Sequence, residues 1–314
     1  MIATFTLNAA IDRTLRVESL EKGIVNRATL TAARAGGKGI NVASVAHSMG
    51  QKVIVSGFVG GHAGQFIEDY ITSVGMVHDF VQIEAESRNC VAILESSTGT
   101  ITEVNEAGPE VEYGALCAME KKVEYLAERC GVCVFSGSLP RGCPQDYYAR
   151  LIKIAKKQGA FVVLDTSGSA LCAAIEAKPD LIKPNEYEIE DLLGVEVSSE
   201  PQLIEALDEI RSRWSIDHVI ITLGPHGAIC SIPTGFLRVL VPKLPVVNTV
   251  GCGDAFVAGI CVGHERNLPA KEFIRLGAAA ASAKLGAKDA GTCDLEEVRR
   301  LVGEVQVEDI GQMG

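Results

Sequence analysis

QDYYARLIKIAKKQGAFVVLDTSG, residues 145–168, contains both halves of a repeating unit. From Gln145 to Gly159 the apolar residues recur at helical spacing, and Lys156 and Lys157 precede the closing glycine, which predicts a helix. Phe161-Val162-Val163-Leu164 follows, a β-branched run bounded by Gly159 and by Thr166-Ser167-Gly168, which predicts a strand. The unit recurs outward in both directions. QKVIVSGFVG (51–60), GVCVFSGSLP (131–140), DLIKPN (180–185) and HVIITLGPHG (218–227) read as further strands. EYEIEDLLG (186–194) and PQLIEALDEIRSRW (201–214) read as helices, the second opened by Ser198 or Ser199 as a cap. Alternation of this kind implies right-handed crossovers and a mainly parallel sheet covered on both faces. Ligands of such sheets collect at the carboxyl ends of the strands, where SGSLP, DTSG, KPNEYE and TLGPHG fall.

Two stretches break the alternation. Residues 12–34 and about 86–106 alternate polar and apolar side chains around turn signals at Glu21-Lys22-Gly23 and Ser96-Ser97-Thr98-Gly99. They predict hairpins outside the main sheet, a small antiparallel flap that covers the ligand cleft or pairs with a second subunit. With no internal repeat and no linker, residues 1–314 read as one domain.

The composition excludes several classes. A net charge of −11 leaves no basic excess for gripping nucleic acid or an anionic membrane. No window approaches eighteen uninterrupted apolar residues, and MIATFTLNAAID lacks the basic and apolar regions of a signal peptide, so a cytoplasmic protein is expected. The ten cysteines are dispersed and read as reduced thiols, and Cys130-Gly-Val-Cys133 lacks the second pair that a zinc site needs. His47, His62, His78, His218, His226 and His264 form no cluster of metal-ligand spacing.

Three motifs carry chemistry. In NTVGCGDAFVAG (248–259), Gly251 and Gly253 leave backbone N–H groups unobstructed at a helix start, an arrangement that binds phosphate, with Asp254 as either a functional carboxylate or a helix cap. Asn185 and Glu188 fall on a strand-to-helix loop, where they suit the water shell of Mg²⁺ or, equally, capping of the helix. Gly36-Gly37-Lys38-Gly39-Ile40-Asn41 precedes a second helix; it departs from the Walker A pattern and suits either a small anionic or polyhydroxy ligand or a plain turn.

Together TLNAAID, GGKGIN, SGSLP, KPNEYE, TLGPHG and NTVGCGD, spread over nearly the whole chain, resemble the ribokinase-like carbohydrate kinases of the phosphofructokinase-B family, in particular its hexose-phosphate branch. The resemblance implies a three-layer α/β/α fold with a β lid, a homodimer joined through that lid, and ATP with Mg²⁺ as cofactors. It implies phosphorylation of a ketohexose monophosphate, first fructose 1-phosphate and alternatively tagatose 6-phosphate. Asp254 matches the catalytic base, and the amides of Gly251, Cys252 and Gly253 match the anion hole. Asp12, Gly36, Gly37 and Asn41 match sugar-hydroxyl positions, with Lys38, Arg88 and Arg27 for the phosphate on the substrate and Ser138 beside it. Lys183, Asn185, Thr222, Gly224 and Gly227 match nucleotide positions, with Asn185 and Glu188 toward Mg²⁺ through water. The small-residue stretch LGAAAASAKLG (276–286) is suited either to making room for the adenine or to tight packing. Cys252 stands where the family often has alanine or serine.

Overall fold

In the strand Val132–Ser136 successive side chains divide between two cores: Val132 and Val134 join the apolar cluster on one face of the sheet, Cys133 and Phe135 the cluster on the other. Phe161–Asp165 repeats this, with Val163 in the first core and Val162 and Leu164 in the second. A strand apolar on both faces must be covered on both, and helices do so here. Lys38–Ser48, Gly61–Ser73, Cys252–Glu265, Ala270–Lys284 and Leu295–Val302 pack on the first core. Tyr113–Ala127, Tyr147–Lys157, Gly168–Ala174, Glu186–Leu193 and Glu200–Trp214 pack on the second. The fold is therefore a three-layer α/β/α sandwich. This computed structural model describes residues 1–246, 248–287 and 291–311.

The central sheet runs in the order Gln306–Gly311, Gly235–Leu240, Ala228–Ile232, His218–Thr222, Leu181–Ile182, Phe161–Asp165, Val132–Ser136, Ile2–Thr6, Val53–Val59 and Val77–His78. Val81–Gln82 also pairs with Val53–Val59. From His218–Thr222 to Val77–His78 every pairing is parallel, and the three strands on the other edge add an antiparallel meander. The predicted helix over residues 145–159 forms over Tyr147–Lys157, and that over 201–214 forms as Glu200–Trp214. Ser199 sits at the cap position of the latter, but its hydroxyl donates to Gln202 Oε1 instead of accepting a backbone N–H. All ten cysteines are free, and Cys130 and Cys133 are buried. Among the described residues no helix is long and apolar enough to cross a membrane.

The two irregular stretches form a separate four-stranded sheet in the order Thr29–Gly36, Ala10–Val17, Arg88–Glu95, Ile101–Asn105. Each hairpin is antiparallel, and the two are joined by Ala10–Val17 running parallel to Arg88–Glu95. The second turns at Gly99 (φ 73°), as the sequence signalled; in the first, Gly23 (φ 84°) lies within a longer connection between Val17 and Thr29.

The small-residue stretch 276–286 packs closely on a neighbouring helix. Its buried residues Gly277, Ala278, Ala279 and Ala280 press on the helix Cys252–Glu265, where a Cβ on Gly259 would lie 2.6 Å from the Leu276 carbonyl oxygen. Gly259→Ala is therefore expected to destabilise the protein by about 1–3 kcal/mol, the usual cost of overpacking, read as a lower urea midpoint at unchanged slope.

Candidate active site

All four loops predicted at the strand ends open onto one cleft of about 1370 Å³, and one face of the four-stranded sheet forms its other wall. Three helices begin at this cleft: Lys38–Ser48, Glu186–Leu193 and Cys252–Glu265. Their N-terminal N–H groups and macrodipoles favour negative charge there.

The third helix starts from Gly251, whose φ of 83° is a left-handed geometry that a side chain resists. Asp254 follows within the first turn, buried at 6% exposure, with Oδ2 accepting a hydrogen bond from Asn41 Nδ2 at 2.8 Å. Burial, and then the nearby Asp165 carboxylate, push its pKa up to about 6 against the opposing pull of Lys38, the Asn41 hydrogen bond and Lys183. Asn41, expected at the sugar, thus orients the carboxylate as well. Gly251 and Gly253 line the cleft. Cys252 is not among the lining residues: its N–H donates to the Thr249 carbonyl at 3.3 Å, and burial pushes its thiol pKa up.

Asp165, which the sequence reading passed over, lies at the centre. It ends the strand Phe161–Asp165, is 1% exposed, and holds two ammonium groups on one oxygen, Lys38 Nζ at 3.3 Å and Lys183 Nζ at 3.4 Å from Oδ1. Oδ2 has no hydrogen-bond partner. Burial works to raise the pKa of this carboxyl, but Lys183 and Lys38 outweigh it and hold the value below the usual range. In return Asp165, ahead of the opposing burial, raises that of Lys38. Lys183 also lies beside the glycine turn that opens the third helix, its Nζ 3.4 Å from where a Cβ on Gly253 would sit. The available signal was a carboxylate at the carboxyl end of a predicted strand, in a loop already marked as ligand-facing.

Gly36 and Gly37 are required by close approach: a Cβ on Gly36 would fall 2.1 Å from Asp12 Cγ, and one on Gly37 2.6 Å from Thr6 Cγ2. Asp12 faces the cleft from the small sheet with its pKa raised by burial, which outweighs Arg34 and Arg88. Arg88 is fixed by donating to the carbonyls of Asn8 at 3.1 Å and Glu106 at 3.0 Å. Ser138 lines the cleft as expected and accepts from Asn8 Nδ2; Asn8 is a further wall residue, one the sequence reading missed. Asn185 and Glu188 form a complete capping box, each side chain accepting the other's backbone N–H at 2.9 Å. Both still line the cleft, as do Lys183, Thr222 and Gly224. Gly227 and Gly36 sit behind the lining residues, and Arg27 is exposed in the connection between two lid strands, away from them. Among the described residues no group of three His, Cys, Asp or Glu side chains is placed to hold a metal.

A buried carboxylate at an anion-binding helix start, facing a polar cleft under a β wall, defines a phosphotransferase for a hydroxyl-bearing acceptor, a carbohydrate kinase. Residues 5–297 match the model of the pfkB family carbohydrate kinases, and the chain belongs to that family of ATP-dependent sugar kinases. It is 38% identical over 265 residues to a tagatose-6-phosphate kinase of Staphylococcus epidermidis, covering 84% of this chain and 85% of that one. Phosphofructokinase-2 from Escherichia coli in complex with fructose-6-phosphate superposes with a TM-score of 0.90 at 25% identity, over 96% of this chain and 98% of that one. The fold also matches a "possible 1-phosphofructokinase" from Thermotoga maritima, TM-score 0.90 at 24% identity, over 99% and 100% of the two chains.

Asp254 carries a cost in stability. Its folded pKa of about 6 lies above the 3.8 of a free aspartate, so its contribution is fully present below about pH 4 and is lost as pH rises through about 6. Asp254→Asn, which keeps the oxygen facing Asn41, is therefore expected to gain stability at pH 8, on the order of 3 kcal/mol. That gain should shrink to nothing near pH 4 in chemical denaturation across the range.

Proposed function

We propose that this chain transfers the γ-phosphoryl group of ATP to a ketohexose monophosphate, foremost fructose 1-phosphate, giving fructose 1,6-bisphosphate. The observation that carries the reading is Asp254: a buried carboxylate, oriented by Asn41 at 2.8 Å, at the first turn of a helix whose Gly251 and Gly253 face the same cleft as Lys38 and Arg88. Asp254 accepts the proton of the attacking sugar hydroxyl. In a loose transition state that hydroxyl is deprotonated late, so a carboxylate with a pKa of about 6 suffices and positioning dominates. The amides around Gly251 and Gly253, with Lys183 beneath them, stabilise charge on the transferred group. Asp12, Gly37, Asn41 and Ser138 hold sugar hydroxyls, and Thr222 and Gly224 flank the nucleotide.

The Asn185–Glu188 pair fits Mg²⁺ only through water, since capping occupies one oxygen of each side chain and leaves Glu188 Oε1 for the shell of an ion that keeps most of its waters. When bound there, Mg²⁺ neutralises charge on the nucleotide phosphates. The four-stranded sheet acts as a lid that excludes water as a competing acceptor. Exposed Ile24, Val25, Leu30 and Val104 on this sheet and its connection support pairing with a second copy in a cytoplasmic homodimer of single-domain chains. Tagatose 6-phosphate is the second reading, favoured by the 38% identical relative. A bisphosphorylated ketofuranose is roughly pseudo-symmetric about its ring, so one cleft accepts either sense.

ATP turnover with fructose 1-phosphate, tagatose 6-phosphate, fructose 6-phosphate and free fructose tests the proposal. Fructose 1-phosphate is expected to lead in kcat/KM, and Asp254→Asn to lower kcat by about 10²–10⁴-fold. A preference for free fructose, or an active Asn variant, overturns it. The acid limb of kcat is expected near pH 6, because activity is lost as Asp254 gains its proton. Asp165→Asn removes a charge that opposes ionisation of Asp254, so it should move this limb to lower pH while lowering kcat.

A further inference from the structure

Besides Arg88, the lid lines the cleft with Arg13, Arg16 and Arg34, and of these Arg34 stands beside Asp12. Arg34, on the strand Thr29–Gly36, is directly paired across the antiparallel ladder with Asp12, and Asp12 lies two residues along from Ala10, the parallel partner of Arg88. All three side chains therefore stand on one face, with Asp12 between the two guanidiniums. Arg34 Nη2 lies 3.9 Å from Asp12 Oδ2.

Charge accounting sets the need for it. The phosphate on a sugar monophosphate approaches a dianion near neutral pH. At the transfer end, Lys38 and Lys183 are already engaged by Asp165. At the lid end the cleft carries Asp12 and Glu103 and four arginines, Arg13, Arg16, Arg34 and Arg88; of these, Arg34 and Arg88 are the two whose charges act on Asp12, which places them together at one position on the wall. Arg34 does not behave as a residue kept for its pair with Asp12. The contact sits at the outer limit of an ion pair, and burial outweighs both arginines in setting the carboxyl's pKa, which is raised. A guanidinium presents a planar fork of donors that matches phosphate oxygens, and two of them around one oxyanion give directional recognition that a single lysine does not.

We propose that Arg34 and Arg88 form a two-guanidinium clamp for the phosphate the sugar already carries, with Arg34 as the residue that makes the cleft select phosphorylated over free sugar. The inference rests on the sugar-phosphate kinase reading. Arg88 is the fixed jaw, anchored on the carbonyls of Asn8 and Glu106; Arg34 is the exchangeable one, turning from Asp12 to the phosphate and releasing the carboxyl to accept from a sugar hydroxyl.

The test is steady-state kinetics of the full chain, its Arg34→Gln and Arg34→Lys variants, with the preferred sugar monophosphate and with free fructose. Arg34→Gln is expected to raise KM for the sugar phosphate by about 10–100-fold, to keep kcat within a few-fold and KM for ATP unchanged, and to narrow the preference for phosphorylated over free sugar by the same factor. Arg34→Lys should restore part of the loss. An unchanged KM for the sugar phosphate in Arg34→Gln overturns the clamp, as does a parallel loss of kcat and ATP affinity that the lysine does not repair, which marks a structural role. If the unsubstituted chain phosphorylates no sugar monophosphate, the functional reading itself fails, a result distinct from either.

Discussion

The cleft depends on one buried ion cluster. A carboxylate with 1% exposure has lost nearly all its water, and isolated it would cost several kcal/mol or take up a proton. Asp165 does neither, because Lys38 and Lys183 stand on the same oxygen. Each of the three comes from a different part of the chain: a strand end, a helix start and the loop after a two-residue strand. With Asp254 ionised, the four groups sum to zero charge. With Asp254 protonated the sum is +1, so the cluster resists that protonation even as burial favours it. A pKa near 6 is the balance between the two.

Convergence of those parts follows from the parallel sheet. Every crossover returns the chain so that strands end, and the following helices begin, on one side. Three helix N-termini meet there, and each handles its polar ends differently. The one at Asn185 is closed by its own capping box and the one at Gly37 has no side-chain cap, while at Gly251 a left-handed glycine starts the turn. A site for a highly charged nucleotide can thus be built with few cations, which agrees with a chain of net charge −11.

What was legible in the sequence was whatever is local. The alternation of strand and helix, the glycine turns and the lid hairpins are written in short-range patterns, and each appears close to its predicted place. The short strand Leu181–Ile182 was still readable because the turn chemistry of Lys183-Pro184-Asn185 follows it. The antiparallel edge was not read: the hairpin Ala228–Ile232 and Gly235–Leu240 has a local turn signal at Pro233-Thr234-Gly235 that was passed over, and Gln306–Gly311 lies far along the chain from its partner. Asp165 was missed for the same physical reason. Its importance lies in two lysines, 127 residues back and 18 residues on, that no local pattern connects to it. Arg27 lies on the long connection after Val17, exposed in the single chain, so the cleft of one copy neither uses it nor decides its role.

The division of labour between sheet and lid explains why the chemistry was easier to read than the substrate. Asp165, Lys38, Lys183 and Asp254 sit at strand ends, helix starts and a loop of the sandwich and are held by one another and by Asn41. The other wall of the cleft is a four-stranded sheet that packs on the sandwich from one side, where Asp12, Arg34, Arg88 and Glu103 are positioned by cross-strand register. A one-residue slip there would turn every one of them away from the cleft. The bulge between Thr14 and Leu15 falls just beyond Asp12, so the ladder is regular where Asp12 pairs with Arg34. The groups around Asp165 and Asp254 depend on no such register, being held by one another on the sandwich.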